Sequence, residues 1–200
     1  TDWCHEVNKD APTQNHNITV SGGGENGRYF FGLNYLNQQG TVIYTHEKRY
    51  AIRANTQFNI GKNIRIGENL SYTVTDNPQI TPLQEGGTIG YSYREMPIIP
   101  VYDIKGNFAG NFGTNLGNSL NPYASAYRTR NNKSLNGRLF GNIFADVTII
   151  PDLTFHTSFG GENYSGYYHN FGYPTYENTE NTTTNTYSEG SDWGYNWTWT

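Results

Sequence analysis

Long apolar runs are missing from this chain. Its mean hydropathy is -0.74 and only 34% of its residues are hydrophobic, whereas a membrane-spanning helix needs about 18 or more consecutive apolar residues. Cysteine occurs once, at Cys4, so an intrachain disulfide framework is excluded. Positive charge is scarce as well: 13 Lys and Arg stand against 17 Asp and Glu, and no basic run is present. That balance argues against nucleic acid, or an anionic membrane surface, as the main partner.

Familiar chemistry is also lacking. The glycine cluster 22–27 is not followed by Lys-Ser or Lys-Thr, and a strand rather than a helix follows it, so it reads as a hairpin turn instead of a phosphate loop. Cys4, His5 and His16 have no metal-ligand spacing. The histidines with Asp103 and Asp146 form no nucleophile–base–acid order. The expectation is therefore no enzyme, no cofactor and no metal. There is no starting Met and no leader-like segment, and Thr200 falls inside an alternating run. The chain is accordingly expected to be a piece of a longer one.

What the chain does have is alternation. From Tyr50 the even positions Tyr50, Ile52, Ala54, Thr56, Phe58 and Ile60 oppose Ala51, Arg53, Asn55, Gln57 and Asn59. Past Gly61-Lys62-Asn63 the pattern resumes, with Ile64, Ile66, Leu70, Tyr72 and Val74 on one side and Arg65, Asn69, Ser71, Thr73 and Thr75 on the other. In a third run, Leu135, Leu139, Ile143, Ala145, Val147 and Ile149 oppose Asn136, Arg138, Asn142, Asp146 and Thr148. Strand side chains point to opposite faces with period two, so each run has one greasy wall and one wet wall. Lipid on one side and a hydrated lumen on the other would satisfy both. Abundant Tyr (17), Phe (10) and Gly (23) suit strands and the turns between them.

Seven strands are predicted: 16–22, 28–38, 49–60, 64–76, 134–150, 153–168 and one from about 190. Connections after the first, third and fifth are short; those after the second, fourth and sixth are longer, with 77–133 the largest. Outer-membrane barrels sort their loops this way, with short periplasmic turns and long extracellular loops. The expected fold is all-β, a partial transmembrane antiparallel β-barrel. Seven strands cannot close one, since an open edge would present unpaired amides to lipid.

Aromatics mark the candidate sites. Trp193, Tyr195, Trp197 and Trp199 share one strand face and read as a membrane-interface girdle, with a sugar-stacking platform as the second reading. Tyr91, Tyr93, Tyr102, Phe108, Phe112 and Tyr123 make the long loop too aromatic for typical disorder, and all of these but Phe112 are candidate ligand contacts. The aromatics from Tyr164 to Tyr176 suit either loop packing or stacking on a ligand ring. Glu68 alone breaks the apolar face. It lies near a turn, where a charge on the lipid face costs about 0–1 kcal/mol.

Several segments in order carry a resemblance. Thr1-Asp2-Trp3, Gln14 to Gly23, Arg28-Tyr29-Phe30-Phe31, Gln38-Gln39-Gly40, Lys48-Arg49-Tyr50 and Ile66 to Ser71 are similar to the start of the barrel in SusC/RagA-type TonB-dependent outer-membrane receptors. Pro97 to Asp103, Gly106 to Gly110 and Asn121-Pro122 resemble that family's first large extracellular loop. The resemblance implies a 22-stranded barrel around a plug, in a Gram-negative outer membrane. It implies uptake of glycan or peptide fragments with a SusD-like surface lipoprotein, powered through the TonB complex. On this reading residues 1–15 connect plug to barrel, and 16–200 are partial barrel bearing the extracellular loop 77–133. The Asn-x-Thr triplets at Asn17, Asn181 and Asn196 carry little weight in a bacterial chain. A rival is a soluble carbohydrate-binding or adhesin β-module, which would bury its apolar faces in a sandwich core.

Overall fold

Alternation is satisfied when neighbouring strands pair in a register that keeps every apolar row on one side. The computed structural model describes residues 1–78, 86–180 and 182–200, so Asn181 and part of the predicted 77–133 loop lie outside the described residues. Seven antiparallel strands form one sheet in sequence order. They are β1 (Thr13–Gly24), β2 (Gly27–Gln39), β3 (His46–Ile60), β4 (Ile64–Asp76), β5 (Lys133–Ile150), β6 (Leu153–Gly172) and β7 (Thr186–Trp199). The all-antiparallel wall of a partial barrel is thus what the sequence specifies.

The register carries the apolar face across the whole wall. One row runs Ile18, Leu33, Ile52, Tyr72, Leu139, Asn163, Tyr195, each residue opposite the next. The adjacent row on the same face runs Val20, Phe31, Ala54, Leu70, Gly141, Gly161, Trp197. Side chains on this face stay open to their surroundings: Ile52 is 50% exposed, Phe159 50% and Trp197 65%. Full burial of one Val, Leu, Ile or Phe side chain stabilises by about 1.5–3 kcal/mol, so this face requires an apolar environment outside the sheet. The buried apolar residues sit elsewhere. Trp3, Val7, Val42, Ile99, Ala124 and Ala126 all lie outside the strands, and Ala54, flanked by Phe31 and Leu70, is the exception.

The strand ends sort as expected. Residues 25–26, 61–63 and 151–152 make tight turns at one end, helped by Gly61 at φ 63°, a backbone region that side chains disfavour. At the other end, 40–45, 77–132 and 173–185 connect the strands. Short helices α1 (Trp3–Val7), α2 (Thr88–Arg94) and α3 (Pro122–Thr129) gather there and pack on one another.

Some boundaries differ from the sequence reading. β1 starts at Thr13 rather than 16, since Thr13, Gln14 and Asn15 continue the ladder opposite Gln38, Asn37 and Leu36. Backbone pairing, not side-chain hydrophobicity, sets that limit. The 1–15 segment therefore divides: 13–15 belong to the wall, and α1 joins the helices at the long-connection end. For the same reason β6 reaches Gly172 and β7 begins at Thr186, with Phe171 opposite Tyr187. A bulge between Thr148 and Ile150 leaves Ile149 out of register.

Candidate ligand-facing cap and polar wall

The long connection is a built cap. Asp2 accepts from the His5 amide at 3.1 Å and starts α1. Asn121 caps α3, with Pro122 at its first turn. Its Oδ1 accepts from the Ala124 amide at 3.0 Å, while its Nδ2 donates to the Val101 and Ala109 carbonyls at 3.0 and 2.8 Å. Pro122, Ala124 and Ala126 form the buried face of this helix. Trp3 Nε1 donates to the Met96 carbonyl at 3.1 Å, and the Ile43 amide donates to Val7 at 3.0 Å. Three separate stretches of chain are thereby joined.

A second set of bonds ties the cap to the 173–185 connection. Buried Asn111 donates to Gly117 and Ser119 carbonyls, and its Oδ1 accepts from the Thr179 amide at 2.8 Å and hydroxyl at 2.9 Å. The Arg128 guanidinium grips the Glu177 carboxylate through Nη1 at 2.5 Å and Nη2 at 2.8 Å. It also lies over the Phe108 ring at 5.3 Å and the Tyr176 ring at 5.9 Å. Gly110 must be glycine here, because a Cβ would sit 2.0 Å from the Glu177 carbonyl oxygen.

Three of the five loop aromatics singled out in the sequence meet. Tyr102 stacks on Phe108 at 5.4 Å, and Tyr123 meets both, at 5.9 and 6.4 Å. Tyr44 and Tyr127 join them from the 40–45 connection and from α3. Tyr44 holds a positive φ of 63°, costly for a bulky residue, and its hydroxyl bonds to that of Tyr123 at 3.2 Å. That bond, with burial, pushes the Tyr44 phenol up to about 12. Burial and then the Tyr123 bond raise Tyr102 as well. Tyr91 and Tyr93 do not join the cluster: Arg94 covers the Tyr91 ring at 5.6 Å, and Tyr93 is exposed.

Two acids differ in surroundings. Asp103 holds a tight turn by accepting from the Lys105 and Asn107 amides at 2.8 and 2.9 Å. The Asn107 amide foremost keeps its carboxyl below the usual range. Ile104, at the tip of this turn, is fully exposed. Glu95 is buried, and among the described residues neither carboxylate oxygen has a partner in hydrogen-bond geometry. Burial pushes its carboxyl up; nearby Ser119 and the Met96 amide oppose this only in part, and the Ser119 hydroxyl donates instead to the Tyr91 carbonyl.

Below the cap, the polar face of the wall is cross-linked by its own side chains. Asp146 accepts from Arg65 Nε at 2.8 Å and pairs with His156 Nδ1 at 2.6 Å. Arg138 grips Glu162 at 2.6 and 3.0 Å, Asn69 donates to Asn142 at 3.0 Å, and Arg28 donates to Gln57. Arg53, Asn55, Asn142 and Asp146 share this face, as the alternation requires. Trp193, Tyr195, Trp197 and Trp199 lie on the opposite, apolar face of β7, opposite Ser165, Asn163, Gly161 and Phe159. Among the described residues no group of His, Cys, Asp and Glu is arranged to hold a metal.

Sequence reasoning missed Tyr44, Tyr127, Arg128, Glu177, Asn111 and the role of Asn121. Asn-Pro before an alanine-rich stretch is a helix-start signal that was there to be read.

No family model matches the chain. Two curated relatives from Formosa agariphila are similar to it. TonB-dependent receptor P3 is 30% identical over 115 residues, 54% of this chain and 12% of that protein. TonB-dependent receptor P26 is 28% identical over 109 residues, 54% of this chain and 10% of that protein. Among solved structures, the RagAB peptide importer in its open-open state matches with a TM-score of 0.69 at 24% identity, over 86% of this chain and 20% of that one. Its closed-closed state matches at 0.68 over the same shares. The chain therefore spans about a fifth of the solved chains it matches, and the aligned stretch about a tenth of the curated relatives. The likeness to SusC/RagA-type TonB-dependent receptors is thus present in sequence relatives and in fold.

Proposed function

We propose that this chain is part of the wall and outer cap of a SusC/RagA-type TonB-dependent receptor, which imports nutrient fragments through the outer membrane of a Gram-negative bacterium. One observation carries the reading. A single sheet keeps an exposed apolar face in register through seven strands while its other face is bonded and polar. A soluble β-module would cover that face with a second layer, and the described residues contain none.

The cap supports a role in cargo or partner contact. It is preorganised by buried asparagines and an ion pair, and it presents Tyr102, Tyr176 and Ile104 at its surface. On this reading the cargo is a peptide or glycan fragment, a SusD-like surface lipoprotein covers the cap, and TonB supplies energy through other parts of the receptor. The peptide-importer relative supports an oligomeric cargo, and relatives named as receptors and importers support transport rather than enzymatic turnover. Residues 1–12 would then link the plug to the wall at the capped end. The β7 aromatics would face lipid. Trp193 to Trp199 cover about 20 Å of strand, so Trp193 and Tyr195 suit one headgroup level while Trp197 and Trp199 reach deeper.

Spin labels in the intact receptor test this. Labels at Ile52 and Ile143 should be relaxed by lipid-soluble oxygen, and labels at Asn55 and Asn142 by an aqueous reagent. The opposite pattern would mean a soluble core.

A further inference from the structure

Two ion pairs neutralise charge on the polar wall: Arg65 with Asp146 near the short-turn end, and Arg138 with Glu162 nearer the middle. Arg49 and Arg53 have no such counter-ion among the described residues. Both belong to β3 and to the polar face, opposite Thr75 and Ser71. Among the described residues neither makes a side-chain hydrogen bond, ion pair or ring contact. Glu47 shares their face at the rim, two positions from Arg49, and forms no ion pair with it.

The two arginines border a groove of about 460 Å³. Gly32 and Ala51 lie on its floor because Arg53 pairs opposite Gly32, and Ala51 opposite Asn34. Its sides present Asn17, Thr19, Ser71 and Thr73, and among the described residues the three hydroxyls make no side-chain hydrogen bond. The two guanidinium-bearing positions are four steps apart on the strand, about 13 Å along the chain. The groove runs from the capped rim toward the middle of the wall. Its size falls in the range of about 300–1,000 Å³ usual for ligand sites.

We infer that this groove binds carboxylate-bearing cargo, as an extended acidic oligomer lying between Arg49 and Arg53. A planar guanidinium matches a carboxylate with two parallel N–H···O bonds, and the hydroxyls of Thr19, Ser71 and Thr73 along the groove serve the polar backbone of such an oligomer. Among the described residues Glu162 is held by Arg138, Asp146 is held by Arg65 at the short-turn end, and Glu47 forms no ion pair, so both guanidiniums are open to an anion from outside these strands. The inference rests on the polar face being the lumen of a transporter. The carboxylates could belong to an acidic peptide or to a uronic-acid glycan, since both present the same chemistry.

The test uses the full receptor in detergent, with calorimetric titration of four probes: an alternating Glu-Ala peptide, its Gln-Ala counterpart, an oligogalacturonate and a neutral oligogalactan. At low salt, one or both acidic probes should bind at least about tenfold tighter than the neutral partner. The double variant Arg49→Gln/Arg53→Gln should erase that preference, so that each acidic probe binds no tighter than its neutral partner, and a single Arg53→Lys variant should keep only part of it. The acidic probe that responds identifies the source of the carboxylate. If wild type shows no acidic preference, or the double variant keeps it, the site is wrong. Heat-modifiable mobility of both proteins in the outer-membrane fraction verifies folding. The spin-label pattern at Ile52 and Asn55 reports separately on the barrel, so either idea can fail without the other.

Discussion

Arg128 and Glu177 lie 49 positions apart and meet through two hydrogen bonds, with side chains 13% and 2% exposed. Removing one partner of a buried pair leaves a charge with no compensation, at a cost of about 3–5 kcal/mol. Glu177→Ala should therefore free the 173–185 connection from the cap without disturbing the wall. Limited proteolysis of the intact receptor would show faster cleavage in that connection. Unaltered cleavage would mean the pair contributes little. Glu95 gives a pH dependence of known sign. Its folded carboxyl is raised above the ordinary 4.5 by burial, so the folded cap binds that proton more tightly than the unfolded one. The stabilisation is complete below the unfolded value and is lost as pH rises through the folded one. Hydrogen exchange of cap amides should slow as pH is lowered from neutral toward 5, after correction for intrinsic rates, and Glu95→Gln should remove that trend.

At the scale of elements, cap and wall are separable. The strands bond to one another through their own ladders, and the helices bond mainly among themselves and to the loops. Replacing 86–120 with a short Gly-Ser linker should leave the wall in the membrane and impair uptake or docking of the surface partner. Uptake by whole cells, with surface protease protection as the control for insertion, measures both. Normal uptake would remove the cap from the function. The size of the connection supports a role, since ordered loops beyond about 12–15 residues are seldom idle.

For the molecule as a whole, the exposed apolar face and the unpaired outer edges of β1 and β7 dominate behaviour in water. Apolar patches and open strand edges both drive association. These 200 residues expressed alone should collect in inclusion bodies or in heterogeneous detergent-dependent oligomers. A detergent-free monomer with one cooperative melting transition, by sedimentation and circular dichroism, would contradict the membrane wall and favour a soluble module.

The wall was legible in the amino-acid sequence because strand parity is local: Tyr50 to Ile60 and Ile64 to Val74 announce their faces residue by residue. Turn chemistry at Gly61 and Pro151 and the sorting of short and long connections were legible for the same reason. Polar strand ends were not, since Thr13 to Asn15 and Thr186 to Glu189 are held by backbone ladders that carry no hydrophobic period. In the cap the sequence determined an aromatic loop, and three of its five marked rings do meet. Only the tertiary structure decided that Tyr44 and Tyr127 complete that cluster, that Asn111 reaches Thr179, and that Arg128 finds Glu177. The physical reason is range. Periodicity fixes which way a side chain faces on its own strand, whereas a partner 49 or 68 positions away is chosen by where whole connections are brought together.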